Sequence, residues 1–392
     1  MIFPDVEDAQ NIFDLRDMAK ARLPKWLFEF VDRGTEEEVA LRNNREAFER
    51  IQFRPRMLVD VSNRKLDTTL FGKTHKMPIG IAPTGAAGMM WYKGELELAR
   101  AARDAGVPFS LATGSITSME EIAGDVGGTL WMQLYMWADR KLSHQLVRRA
   151  SAAGFEALLV TVDGAVAGNR EYNRRNGFSV PFKYNSKNTL DVISHPRWML
   201  GVLARYIANG GMPERVNFPD ELKGKITTAY GGNKETRSDS LNWDDLKALR
   251  DIWPGKLLVK GLLHPDDCEK SVEHGADGVI VSNHGGRNCD AAPSPIEVLP
   301  EIAKAVGHKT TIVFDSGVRR GSDVVKAIAL GAKFVLIGRS TLYGTAAAGY
   351  DGAKRALDLY RGEISRGIAN ISCNTIAEIG PQHIAYGHAQ AA

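Results

Sequence analysis

Cysteine is scarce in this chain of 392 residues: Cys268, Cys289 and Cys373 form an odd, widely spaced set. A disulfide framework and a thiolate metal site are thereby disfavoured, and a reducing compartment is the expectation. A dominant charge is also missing, because 50 Lys and Arg face 47 Asp and Glu for a net charge of +3. A nucleic-acid partner would lack its electrostatic footprint. No uninterrupted apolar run approaches the roughly 18 residues needed to cross a bilayer. The first ten residues are acidic instead of following the basic-then-apolar order of an export signal, so a cytoplasmic protein is expected. No GxGxxG turn follows an early strand, which removes the main warrant for a Rossmann dinucleotide site.

What is present is ample core material, with 44% hydrophobic and 25% charged residues. From residue 78 onward, short apolar runs alternate with segments of helical spacing. The runs cover 78–83, 108–113, 130–135, 157–163, 256–261, 278–283, 311–315 and 334–338. Residues 158–162 (LLVTV) are apolar almost throughout, as in a parallel strand covered on both faces. Helices are expected at 95–105, 142–153, 266–274 and 322–330, several ending in Gly or Ala-Gly.

Eight such units in one run predict an α/β fold, a single (β/α)8 TIM barrel, with residues 1–392 as one domain. Residues 1–77 read as a helical extension, with helices at 12–21 and 25–32 capping the barrel's bottom or one edge of its mouth. Residues 177–240 form a long insertion after the fourth strand. Within it, 198–207 is apolar and aromatic beside Arg197 and Arg205, and reads as an amphipathic helix. Its role is either a lid or oligomer contact, or peripheral membrane docking through 177–235.

Reactive groups of a TIM barrel sit at the C-terminal ends of its strands. Those ends here carry Thr161 and Asp163 on the fourth strand, Lys260 on the fifth and 282–287 (SNHGGR) on the sixth. The seventh ends in 315–320 (DSGVRR) and the eighth in Gly338 and Arg339. The last two clusters read as a phosphate site, where glycines admit the backbone and Arg319 and Arg339 neutralise a dianion. Glycines serving only tight turns would leave those arginines unexplained. With a cation on the fifth strand and amide or hydroxyl groups on the third and fourth, the site suits FMN. Lys260 would face the N1/O2 edge of the ring, the alternative being a structural lysine paired with a carboxylate. His284 is the candidate base, Asp163 its orienting partner, and Arg170 with Arg287 a bidentate carboxylate clamp.

The strings SNHGGR (282–287), LLVKG (257–261), DSGVRRG (315–321) and IGR (337–339) resemble the FMN-dependent 2-hydroxy acid oxidases and dehydrogenases. That family includes glycolate oxidase, lactate oxidase and mandelate dehydrogenase, and the resemblance runs from about residue 15 to 375. It implies His284 as proton acceptor, Asp163 as its partner, Tyr135 as a hydrogen-bonding residue beside the substrate, and Arg170 and Arg287 as the clamp. It places Pro83, Thr84 and Gly85 along the flavin N5 side, Gln133 and Thr161 at the ring edge, and Lys260 at N1. Ser282, Asp315, Gly317, Arg319, Gly338 and Arg339 complete the cofactor site, the last two with Arg319 at the phosphate. A small-molecule 2-hydroxy acid as substrate, a quinone or oxygen as electron acceptor, and a homotetramer are the partners implied, with no metal.

Three positions depart from that pattern. Phe30, in LPKWLFEF, stands where the family's tyrosine reaches the substrate carboxylate. Gly114 replaces the tryptophan of many small-substrate oxidases, which widens the pocket towards mandelate-like acids. Gly85 matches the dehydrogenases where oxidases carry alanine. Two rivals stay open: another FMN- or phosphate-binding barrel enzyme, and a catalytically weak FMN-binding relative.

Overall fold

The computed structural model describes residues 5–85, 87–179, 185–227 and 238–386. Eight parallel strands close into a barrel: β1 (Ile79–Ile81), β2 (Phe109–Ala112), β3 (Leu130–Leu134), β4 (Ala157–Thr161), β5 (Lys256–Leu262), β6 (Gly278–Val281), β7 (Thr311–Asp315) and β8 (Phe334–Ile337). Each lies inside or within a residue of an expected apolar run. The ring closes where β8 pairs with β1, Val335 opposite Ile79. Trp131, Leu159, Leu258, Ile280, Val313 and Phe334 fill the interior, so the barrel is packed and has no pore.

The alternate strand residues face the helices, which explains the unbroken apolar runs: both faces of every strand are buried. Helices Gly94–Ala105, Arg140–Ala152, Pro265–Glu273 and Gly321–Ala329 occupy the expected segments. Gly106, at φ +69°, ends the first of these in the left-handed conformation that glycine adopts without strain.

The extension before β1 is helical only to residue 50. Helices Ile12–Arg22, Lys25–Asp32 and Val39–Arg50 are followed by short strands at Ile51–Phe53, Thr68–Leu70 and Lys73–His75, which corrects the helical expectation for 51–77. The last two strands form an antiparallel hairpin whose Leu70 joins the barrel-interior cluster, with Phe71 against Trp131 at 6.4 Å. It plugs the N-terminal end of the barrel. Helix Lys25–Asp32 lies at the opposite, C-terminal end.

The insertion after β4 contains helix Ser186–Ser194, then Pro196–Trp198, a π-helical turn Met199–Ala204 and Arg205–Ala208. The helix expected at 198–207 is therefore present, with a π turn at its centre. Parts of the insertion, 180–184 and 228–237, lie outside the described residues. Among the described residues no helix is long and apolar enough to cross a membrane.

Candidate active site

The C-terminal ends of β3 to β6 converge on His284. Its Nδ1 is 2.9 Å from Asp163 Oδ1, and its Nε2 is 3.1 Å from the Tyr135 hydroxyl. A carboxylate can only accept, so Nδ1 carries the ring proton, and the Nε2 lone pair accepts from the Tyr135 hydroxyl at the barrel mouth. Burial lowers the imidazole pKa below its ordinary 6.5, while the Asp163 charge and hydrogen bond oppose the shift. The ring is neutral at pH 7 and Asp163 is ionised: burial works against its charge, but His284 and Lys260 hold its pKa below the usual carboxylate value.

This placement rests on an unusual turn. His284 sits at φ +58° and Ser316 at φ +97°, both left-handed, where non-glycine residues are strained. Ser316 Oγ accepts from the backbone N–H of Asn283 (3.3 Å) and Gly285 (3.0 Å), one on each side of the imidazole. Asn283 is held in turn by a reciprocal amide pair with Asn44, at 2.8 and 2.9 Å. Asn44 comes from helix Val39–Arg50, which the sequence marks only as part of the helical extension. Gly261, at φ +107°, is required beneath Asp163, because a Cβ there would stand 2.5 Å from the aspartate side chain.

One turn away, Arg287 and Arg339 donate to the same backbone. Arg287 Nη1 reaches Arg33 O (3.0 Å) and Val31 O (3.4 Å). Arg339 donates to Val31 O (2.7 Å), Gly285 O (2.9 Å) and Arg33 O (3.1 Å). The Val31 and Arg33 carbonyls end helix Lys25–Asp32, whose negative pole faces both cations. Neither guanidinium has a carboxylate partner among the described residues. Burial, then mutual repulsion, lowers both pKa values to about 10, Arg287 feeling Arg170 and Arg339 feeling Arg287. Phe30 lies beneath Arg287 (5.2 Å) and Arg170 (5.9 Å), so the departure from the family pattern stands beside both arginines expected to form the clamp.

The expected cofactor residues gather around this centre. Lys260 Nζ contacts Asp315 (2.6 Å) and Ser282 Oγ (2.9 Å), and Ser282 donates to Asp315 (2.9 Å). Burial works against the ammonium, but Asp315 and Asp163 raise its pKa, so a permanent cation faces the mouth. Gln133 Nε2 donates to Thr161 Oγ1 at 2.9 Å. Pro83, Thr84 and Gly85 follow β1, and a Cβ on Gly338 would lie 3.4 Å from Thr84, so the ends of β1 and β8 touch. Gly85 lies beside Gly114, where a Cβ would meet nothing within 4 Å: the pocket is open there.

The residues present fit an anionic flavin nucleotide. The N-terminus of helix Gly321–Ala329 is already taken, since Asp323 Oδ2 accepts from the N–H groups of Arg319 and Arg320. The helix opening at Arg339 has no side-chain cap, and Gly317 and Gly338 bring bare backbone to the same region. Uncapped N–H groups at the helix that opens with Arg339, a buried guanidinium without an ion-pair partner among the described residues, suit an anion such as a phosphate.

The profile of FMN-dependent dehydrogenases matches residues 19–386. The chain is 42% identical to (S)-mandelate dehydrogenase of Pseudomonas putida, over 96% of this chain and 94% of that one. It is 39% identical to an L-lactate dehydrogenase of Chromohalobacter salexigens, over 96% of each. Among solved structures, a monotopic membrane protein, (S)-mandelate dehydrogenase, superposes with a TM-score of 0.90 at 41% identity, covering 97% of this chain and all of that one. A mandelate oxidase bound to (S)-2-phenylpropionate gives 0.80 at 34% identity, covering 96% and 98%. With the barrel and these matches in agreement, the chain belongs to the FMN-dependent dehydrogenase family and uses FMN as its cofactor.

Proposed function

We propose that this protein oxidises an L-2-hydroxy acid with a bulky, mandelate-like side chain to the 2-oxo acid, as a dehydrogenase rather than an oxidase. The observation that carries the reading is the convergence of a neutral imidazole, its Nε2 turned to the mouth, with the charges of Arg287 and Lys260, both of which bear on His284. Arg287 and Arg170 bind the carboxylate and fix the 2-carbon, exchanging backbone carbonyls for a charged acceptor. His284 Nε2 takes the proton released as C–OH becomes C=O, and Asp163 stabilises the imidazolium that results. Tyr135 hydrogen-bonds beside the base. FMN, when bound, supplies the acceptor for the two electrons. Arg319, Arg339, Gly317 and Gly338 would hold its phosphate; Lys260, Ser282, Asp315, Gln133, Thr161 and 83–85 would hold its ring.

Open space at Gly114 favours a phenyl-bearing acid over a methyl-bearing one. Anaerobic mixing of the holoenzyme with lactate, glycolate, mandelate and a long-chain hydroxy acid should bleach the flavin fastest with mandelate. If none of the four bleaches it, the reading fails.

Phe30 leaves one hydrogen bond to the carboxylate unmade. Phe30→Tyr, in contact with the same two arginines, should lower KM for mandelate by roughly fivefold, the equivalent of about 1 kcal/mol. An unchanged or higher KM would remove Phe30 from the clamp.

The same proposal includes one FMN-binding unit, a homotetramer, and a peripheral position at the inner face of the membrane. Three free cysteines fit a reducing compartment. Exposed Met57 and Leu58 offer surface for assembly, and exposed Leu190, Ile193, Leu200 and Ile207 offer a face for lipid.

A further inference from the structure

The insertion after β4 turns one apolar face outward and another inward. Inward, Val192, Trp198, Val202 and Leu203 wall a cavity of about 230 Å³, closed on the barrel side by Trp26 and Met89. Ile193 lines it too and is 59% exposed, so the cavity reaches the outer apolar face. Asn188, Thr189 and Tyr206 also line it, but the wall is otherwise aliphatic and aromatic, and protein interiors carry few voids larger than a water molecule. The space calls for hydrocarbon.

Its inner wall leads to the candidate active site. Met89 lies in the helical turn Ala87–Met90, just beyond Gly85, and its carbonyl accepts from Trp198 Nε1 at 2.7 Å. Trp26 stacks on Phe178 (5.3 Å), Phe178 leans on Phe30 (5.0 Å), and Phe30 lies under the arginine clamp. A chain attached to the bound acid would have to break through this stack of rings. A separate molecule entering from the exposed apolar face would not.

We propose that the cavity binds the hydrocarbon chain of a lipid-soluble quinone, the oxidant that completes the cycle. The inference rests on the 2-hydroxy acid reading above. Each turnover breaks the Cα–H and O–H bonds of the acid and releases two electrons and two protons. The quinone takes up two electrons and two protons and leaves as the quinol. Oxygen has no chain and would make no use of this space.

The test compares three acceptors at saturating mandelate: a water-soluble redox dye, a tail-less dimethoxy-methyl-benzoquinone, and its decyl derivative. The decyl compound should show a KM at least about tenfold below the tail-less one, a factor that about two buried methylenes already provide. Val202→Trp, which fills the cavity, should erase that advantage while leaving dye turnover and vesicle flotation unchanged. Leu203→Phe is the milder filler and should act in the same direction. A decyl quinone with a diazirine on its chain should label residues 186–206, with competition by decyl quinone but not by oleate or phosphatidylcholine vesicles.

Equal KM values for the two quinones, or labelling that oleate or phospholipid abolishes, would overturn the proposal and make the cavity a lipid-anchoring site. Dye turnover reports the acid oxidation by itself. Its loss in the unaltered enzyme would defeat the proposed function, whereas normal dye turnover without a chain-length effect defeats only the quinone site.

Discussion

Replacing His284 by alanine is expected to give a yellow protein that mandelate no longer bleaches. The phosphate cradle proposed around Arg339, Gly317 and Gly338 does not include the imidazole, so FMN should stay bound. The proton-accepting Nε2 is gone, and turnover should fall by roughly 10²–10⁴-fold, the span of general base catalysis. The left-handed backbone at φ +58° disfavours alanine, so His284→Asn, which tolerates that conformation, is the companion variant. Both should retain flavin absorbance, and rapid bleaching by either would refute the role. The unaltered enzyme supplies a second check through pH. The base works only when neutral, and burial sets its pKa below 6.5, so kcat/KM should fall only as pH drops beneath that value. An acid limb centred above 6.5 would mean that another group accepts the proton.

Much of this site was legible because a parallel barrel imposes simple rules. Strands buried on both faces appear as continuous apolar runs, and polar residues at their C-terminal ends have one place to go. The positions of Lys260, His284, Arg287 and Arg339 at strand ends place them at the mouth from sequence alone, and the packing brings them there. The short hairpin at Thr68–Leu70 and Lys73–His75 escaped notice, because three-residue strands show no usable period and their pairing depends on a tertiary fit against Trp131. A helical extension through residue 77 was the consequence.

Asn44 was illegible for a different reason. It lies 239 residues from Asn283, in a helix with ordinary polarity, and nothing local marks an amide that will bond another amide. Ser316 stood in view at a strand end, but its left-handed backbone and its two bonds across the His284 turn are properties of the folded loops. The row Trp26, Phe178 and Phe30 joins the extension to the insertion, and each ring reads by itself as ordinary core. Long-range pairings of common residue types are the part that a single sequence conceals.

Arg287→Met should separate function from stability. In the folded protein the Arg287 guanidinium is buried, repelled by Arg170, and, among the described residues, satisfied by the carbonyls of Val31 and Arg33. Its pKa is pushed down to about 10, which means that folding works against its charge. Methionine of similar length removes the charge and keeps the contact with Phe30, so the ligand-free protein should melt at the same temperature or higher. Substrate binding should suffer heavily, because removing one partner of a buried, hydrogen-bonded ion pair costs about 3–5 kcal/mol. That corresponds to a fall in kcat/KM of roughly 10²–10⁴-fold. Arg287→Lys keeps the charge but not the planar fork, and should recover only part of the loss. A lower melting temperature together with unchanged kcat/KM would show that Arg287 is a structural residue, and the carboxylate clamp would have to be sought elsewhere.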